Sequence, residues 1–366
     1  MDTPNIFTDV LSQFAIYGDF QGLAPLGNGH INSTFVSSWN QGGTLVRYTH
    51  QKINDQVFLH PDEVMENILR VTRHIAEKYR HEKNSSVRTL TVVPTKDGKP
   101  FARDREGGWW RTYLFIEGVH SLETAQTPSE LRFLGAAVGR FQKQLSDIPG
   151  KRLNETIPNF HNMKTRYQRF YEALRNDVCS RAKEAAAEIT FMEKNEERGG
   201  ILINALADGS IPERICHNDA KMNNILISDT DEKVFCVVDL DTVMPGSSLF
   251  DLGDLIRSGT NQAAEDEQDL SKVAFNFNFF KALLEGYLSE ASVFLNPKEK
   301  TLLAEAGRNI TQIMALRFLT DYLEGDHYYH IDRPGHNIDR CRSQIALIES
   351  MDAMWEKICA FSEGLV

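Results

Sequence analysis

Apolar residues recur along the chain at two periods, and the change from one to the other divides it. Near the start, Ile6, Val10, Leu11 and Phe14 fall at helical spacing within residues 5–17, which predicts a short amphipathic helix. The stretch 23–36 then reads as strand, glycine-containing turn, strand, and 44–53 as a further strand. Val64, Ile68, Val71 and Ile75 predict a helix from Pro61 to about Glu82. Strands return at 89–94 and 109–115, with Lys96-Asp97-Gly98-Lys99-Pro100 turning between them. From there on the 3.6-residue period takes over. Thr127-Pro128-Ser129-Glu130 has the form of a capping box with proline at the first helical position, and Leu131, Leu134, Val138, Phe141 and Leu145 continue as one apolar stripe. Residues 162–208 read as two charged helices on the surface, interrupted near 196–200, and three more helices are expected at 270–288, 298–324 and 339–362.

The chemistry concentrates in the segment 215–259, where strand-like runs interrupt the helical half. Asp219 lies in a His-Asn-Asp turn, Asn224 follows it, and Asp239 ends an apolar run, Val234–Val238. Ile225–Ile227 and that run read as two short strands joined by a Ser-Asp-Thr-Asp turn. One aspartate on a loop to accept or orient a hydroxyl, with an amide and a second aspartate to hold Mg²⁺ on nucleotide phosphates, is the set that phosphoryl transfer uses. A lone aspartate is more often a turn former. The complete set at this spacing favours chemistry. Asp241, two residues beyond Asp239, points the same way if the strand continues, as a second metal contact or as a capping residue.

Composition narrows the partners. The 366 residues suffice for two lobes, and 51 acidic against 40 basic residues, a net charge of −11, disfavour nucleic acid and anionic membranes. No apolar run is long enough to span a bilayer, and the N-terminus lacks the pattern of a signal peptide. Five unclustered cysteines suit a reducing cytosol, so a cytoplasmic protein is expected, and Cys216 reads as a small buried thiol.

The run HNDxKxNN followed by VVDLDTVMPGSxxFDxGDxIR resembles the aminoglycoside-phosphotransferase and choline-kinase superfamily. With the early GNGHINST and the late LRFLTDYLEGDHYY, the chain is similar to the N-acetylhexosamine 1-kinases within it. The resemblance implies an α+β, protein-kinase-like two-lobed fold. Residues 1–115 would be a small nucleotide-covering lobe with an antiparallel sheet and one helix, 116–120 a hinge, and 121–366 a mainly α-helical lobe, with ATP between the lobes. It implies Asp219 as catalytic base, Mg²⁺ on Asn224 and Asp239 with Asp241 beside them, and Gly27, Gly29, Phe115 and Glu117 on the nucleotide. His30, Arg317 and Tyr328 would meet the sugar, while His217 and Asp251 would hold the catalytic loop. The sequence departs from the kinase pattern at one point. The strand lysine that pairs with phosphates would fall at Gln51, and Lys52 is one residue out of phase. Glu66 is its nominal helix partner, though a solvated surface glutamate is the simpler reading.

Arg317 lies among apolar neighbours, where an unpaired guanidinium is costly, so it needs either a carboxylate such as Asp321, four residues on, or a ligand. A kinase of the same fold acting on choline, methylthioribose or an aminoglycoside shares the central block, as does a nucleotide-binding protein without turnover. The block alone does not separate them. No nucleic-acid or membrane partner is expected, only ATP and a small-molecule acceptor.

Overall fold

The computed structural model describes the chain except residues 1–2, 27–30, 81–86, 232–234 and 366. In chain order the first elements are α1 (Thr3–Leu11), β1 (Asp19–Pro25), β2 (Ser33–Gln41), β3 (Thr44–Ile53), α2 (Pro61–Tyr79), β4 (Val87–Arg88), β5 (Ala102–Arg103), β6 (Trp109–Leu114) and β7 (Val119–His120). There follow α3 (Pro128–Leu145), α4 (Met163–Asn176), α5 (Ala186–Gly199), α6 (Ile201–Ala207), β8 (Arg214–Cys216), β9 (Ile225–Ser228), β10 (Phe235–Val237) and α7 (Ser248–Gly259). The chain closes with α8 (Phe277–Ala291), α9 (Pro297–Thr301), α10 (Leu303–Glu324), α11 (His336–Asp352) and α12 (Trp355–Glu363). It divides into two compact units, one of residues 1–120, 148–158 and 226–244, the other of 121–147, 159–225 and 245–366.

In the first unit, β1-β2-β3-β6-β5 form a five-stranded sheet with every pair antiparallel. Phe7, Val10 and Phe14 from the N-terminal segment join Tyr48, Val93 and Trp110 to make its core. The stretch expected as a strand at 89–94 lies along β6 through only two backbone bonds, Val93 N to the Thr112 carbonyl at 2.8 Å and Leu114 N to the Thr91 carbonyl at 2.9 Å. Pro94, lacking an N–H, cannot extend the ladder. A second, four-stranded sheet has the order β4-β10-β9-β7, so the expected hairpin forms with β7 on one side and β4 on the other. Helix α2 begins at Pro61, buries Val64, Met65, Ile68, Val71 and Ile75, and places Asn67 inward. Asn67 Nδ2 donates to the carbonyls of Asn154 at 2.8 Å and Val243 at 2.9 Å, which ties the helix to the chain just past β10.

In the second unit, α10 is buried along most of its length and packs against α4, α7 and α11. The capping box at Thr127 forms as expected, with Glu130 reaching back to the Thr127 backbone. Helices α3 and α8 lie backbone to backbone. A β-carbon at Gly135 would run into the Leu283 carbonyl, and one at Gly286 into that of Arg132. Five helical expectations shift. Residues 162–208 give three helices rather than two, α4 being separated from α5 at 177–185, and 298–324 is divided at Leu302 into α9 and α10. Residues 270–288 give a 3₁₀ turn and then α8, because Asn276 caps the helix through bonds to Asn278 N and Phe279 N. The stretch 339–362 breaks at Ala353 into α11 and α12. Helix α4, expected on the surface, exposes charge but buries Tyr167 and Phe170. No helix among the described residues is long and apolar enough to cross a membrane.

Candidate active site

In the second unit, β8 delivers the chain into a tight turn at His217-Asn218-Asp219. Asn218 is left-handed at φ 64°, a conformation that asparagine tolerates better than most residues. Asp251, fully buried on α7, holds it there, accepting from His217 N at 2.9 Å and Asn218 N at 2.7 Å. Gln142 Nε2 on α3 donates to the same carboxylate at 2.9 Å, and Tyr287 Oη on α8 donates to Gln142 Oε1 at 2.7 Å. Burial pushes the Asp251 pKa up, against these donors. Asp219 itself keeps about a third of its side chain exposed, at 31%, and forms an ion pair with Lys221 at 3.2 Å. Burial would raise its pKa, but the Lys221 charge and hydrogen bond, with His217 beside them, outweigh that and hold it below the usual carboxylate value. Asp219 is therefore ionised at neutral pH, with its carboxylate partly open.

Asn224 ends a 3₁₀ turn, Met222–Asn224. Its Nδ2 donates to the Asp219 carbonyl at 2.8 Å and to Oδ2 at 3.1 Å. That commits the donor end of the amide to Asp219 and turns the carbonyl end, a hard oxygen donor, away from it.

Asp239, in the first unit, is exposed at the end of β10 and left-handed at φ 58°. The 3₁₀ turn Leu240–Thr242 follows, and Asp241 within it is buried. Both Asp241 oxygens meet the Arg111 guanidinium, and Asn32 Nδ2 donates to Oδ2. The place expected for a strand lysine holds Gln51, whose Oε1 accepts from Arg111 Nε at 2.9 Å, while Lys52 pairs with Asp104 at 3.0 Å. Glu66 is a surface residue, paired with Lys151 at 3.0 Å and bonded by Asn154 Nδ2 at 3.1 Å. Arg47 lies over the Phe115 ring and also pairs with Glu117, whose carbonyl accepts from Arg88 Nη1 at 3.2 Å. Gly27, Gly29 and His30 lie outside the described residues.

Arg317 is buried on α10 of the second unit. Its guanidinium carbon lies 4.9 Å from the ring centre of Phe160, 5.6 Å from that of Tyr328 and 5.4 Å from that of Tyr329. Tyr328 returns over it because Gly325 and Asp326 turn the chain at positive φ beyond the helix. The Arg317–Asp321 pair does not form. Asp321 instead accepts from the backbone N–H groups of His327, Tyr328 and Tyr329 at 3.0, 2.8 and 3.0 Å. Among the described residues no carboxylate forms an ion pair with Arg317. Burial opposes its charge, but the neighbouring tyrosines and Asp219 keep its pKa raised.

Three residues at these places are missed by the sequence reading, two of them despite a weak signal. Arg111 interrupts an aromatic strand, Trp109 to Tyr113, and a charge inside such a run is the clue that it needs a buried partner. Lys221 follows the loop aspartate by two positions. His161, fully buried, meets the Asn218 carbonyl through Nε2 at 2.8 Å, and burial lowers its pKa to about 3, so it stays neutral; nothing in its local sequence marks it.

A model of the APH phosphotransferase enzyme family matches residues 22–283, more than half of the chain. The chain belongs to that family. Solved structures agree on the fold over nearly the whole length. An aminoglycoside phosphotransferase from Alicyclobacillus acidocaldarius is 12% identical with a TM-score of 0.62, over 98% of this chain and 96% of that one. A microcompartment-associated aminopropanol kinase is 14% identical with a TM-score of 0.57, over 97% and 98%. A spectinomycin phosphotransferase, solved with ADP and spectinomycin, is 12% identical with a TM-score of 0.51, over 95% and 94%. The family thus supplies a phosphotransferase, and the kinase-like fold accounts for an antiparallel sheet in one unit and helices in the other.

Proposed function

We propose that this phosphotransferase is an N-acetylhexosamine 1-kinase, moving the γ-phosphoryl group of ATP to the anomeric hydroxyl of GlcNAc or GalNAc. The observation that carries the choice of acceptor is Arg317, a buried guanidinium ringed by Phe160, Tyr328 and Tyr329 with no carboxylate pair among the described residues. A cationic acceptor such as choline would be repelled there. A sugar offers the rings an apolar face and the planar guanidinium a hydroxyl or acetamido oxygen. His30 would add a contact to the sugar.

Asp219 would accept the proton of the anomeric hydroxyl as its oxygen attacks the γ-phosphorus and the bond to the β-phosphate oxygen breaks, releasing ADP. Lys221 and His217 keep that carboxylate ionised, and Asp251 fixes the turn that aims it. Positioning and charge neutralisation then supply most of the rate. Gly27 and Gly29 would cover the phosphates, and the segment at Phe115 and Glu117 would border the adenine. ADP in the spectinomycin phosphotransferase structure supports a nucleotide co-substrate.

Asn224 and Asp239, joined through the β9–β10 hairpin, would hold Mg²⁺, which when bound neutralises charge on the phosphates. The donor set suits it: two hard oxygens leave room for water and phosphate, as Mg²⁺ prefers. Among the described residues no cluster of three or more His, Cys, Asp or Glu side chains could hold a metal by itself. Asp241 is nearby in sequence as a further oxygen donor, already engaged by Arg111.

ATP consumption over a panel of sugars and amines tests the assignment. GlcNAc or GalNAc should support turnover with phosphate appearing at the anomeric carbon. Faster turnover with choline, ethanolamine, methylthioribose or an aminoglycoside would replace the proposed acceptor, and nucleotide binding without turnover would point to a non-catalytic protein.

A further inference from the structure

Arg111 is the middle of a polar row across three strands of the five-stranded sheet. Thr34 on β2 is paired with Gln51 on β3, and Gln51 with Arg111 on β6, so the three share one face of the sheet. Gln51 Nε2 donates to Thr34 Oγ1 at 3.1 Å, and Arg111 Nε donates to Gln51 Oε1 at 2.9 Å. The two ends of the guanidinium fork take the two oxygens of Asp241, Nη2 to Oδ2 at 2.9 Å. Asn32 also donates to Asp241, while Asn32 Oδ1 accepts from Asn54 N at 2.9 Å. Arg111 and Asp241 are 1% and 2% exposed.

A buried ion pair of this kind adds little net stability, since desolvation offsets attraction. Its bidentate geometry does fix the carboxylate's position and orientation. Asp241 lies in the 3₁₀ turn that starts immediately after Asp239, and Asp239 is held left-handed, a conformation that persists only where its surroundings enforce it. On the other flank of the turn, Asn67 holds the Val243 carbonyl. Gln51, where a strand lysine would fall, is neutral, and Lys52 is engaged by Asp104. The cation at this end of the sheet therefore comes from β6.

We propose that Arg111 is the positioning residue for Asp239: by clamping Asp241, it sets the turn that presents the Asp239 carboxylate to Mg²⁺ on the nucleotide. This rests on the metal role proposed for Asp239, and the experiment separates the two. ADP binding to the full chain is measured by calorimetry with and without Mg²⁺, beside the melting temperature. The quantity read is the gain in affinity that Mg²⁺ confers.

Arg111→Gln should cut that gain about 10- to 100-fold, the usual cost of losing a group that orients a metal ligand. Its metal-free ADP affinity should stay within about threefold, since both ends of its guanidinium fork are taken by Asp241 and the proposal assigns it no contact with the nucleotide. Arg111→Lys, which keeps the charge but not the fork, should recover part of the gain. A purely structural residue would lower the melting temperature and leave the gain unchanged; that result overturns the proposal. Asp239→Ala is the reference. If it keeps the Mg²⁺ gain, the metal assignment fails. If it loses the gain while Arg111→Gln keeps it, only the role of Arg111 falls. Should Arg111→Gln not fold, Gln51→Met decides, because it leaves the ion pair whole and releases Nε alone. A reduction of about fivefold, the worth of one hydrogen bond, is expected there. An unchanged gain at an unchanged melting temperature overturns the proposal.

Discussion

Arg317→Ala separates a ligand-binding arginine from a structural one, because the two make opposite demands on stability. In the structure the guanidinium has no carboxylate pair among the described residues; its polar contacts are a long bond to Tyr328 Oη, at 3.4 Å, and Met314 Sδ. What holds it is its packing against three rings, with centroids between 4.9 and 5.6 Å away. Cation–π contacts contribute about 0.5–2 kcal/mol each, depending on how far they are desolvated. Burying the charge without a counter-ion costs several kcal/mol in the other direction. The two nearly offset, so Arg317→Met, which preserves much of the packing, should melt within a few degrees of wild type or above it. Binding should respond differently. A hydrogen bond from a charged donor to a sugar oxygen is worth about 1.5–3 kcal/mol, so KM for the N-acetylhexosamine should rise about 10- to 100-fold in Arg317→Ala. KM for ATP should stay within about twofold, since the arginine is assigned no nucleotide contact. The assay is a coupled measurement of ADP release against each substrate in turn, beside thermal unfolding of each variant. A large drop in melting temperature with both KM values unchanged would refute the reasoning and return Arg317 to a structural role.

Asp219→Asn keeps the shape and removes the proton acceptor, so turnover should fall by at least ~10²-fold with ATP binding little changed; retention of a tenth of wild-type turnover would remove Asp219 from the role of base. Lys221→Met takes away the nearest charge that depresses the Asp219 pKa, so the acid limb of the kcat/KM–pH profile should move upward. The same depressed carboxylate contributes stability in full above the unfolded-state pKa and loses it as pH falls through the lower folded value. Lys221→Met should therefore also lose stability at a higher pH, and acid unfolding curves superimposable on wild type would contradict this. Asn224→Ala and Asp239→Ala should each raise the Mg²⁺ concentration needed for half-maximal activity, and an unchanged requirement in both would dismiss them as metal ligands.

What the sequence made legible follows the range of the interactions involved. The capping box at Thr127, strand β3 and the β9–β10 hairpin depend on near neighbours, and all three form where the residues say they should. The Asp219–Asn224 contact is equally local. Arg111 and Asp241 are 130 residues apart, and their pairing depends on sheet register, which a strand pattern leaves open. Asp321 shows another limit. At helical spacing from Arg317 it reads as an ion-pair partner, yet its oxygens serve backbone N–H groups past the helix end, donors that leave no mark in side-chain identity. The break after Lys272 reflects competition between an apolar run that favours helix and an asparagine whose side chain caps better than it propagates.

The near contact of α3 and α8 reaches further than its distance from Asp219 suggests. Gln142 and Tyr287 sit on those two helices and relay their spacing to Asp251, which grips the turn at Asn218. Any side chain at Gly135 or Gly286 would wedge the helices apart, and the displacement would arrive at the loop as a misaimed carboxylate. For directed evolution of acceptor specificity, these two glycines are positions to hold constant. Diversity introduced around the proposed acceptor contacts Phe160, Arg317 and Tyr328 would explore what is bound, whereas diversity at the helix crossing would discard activity for every acceptor at once.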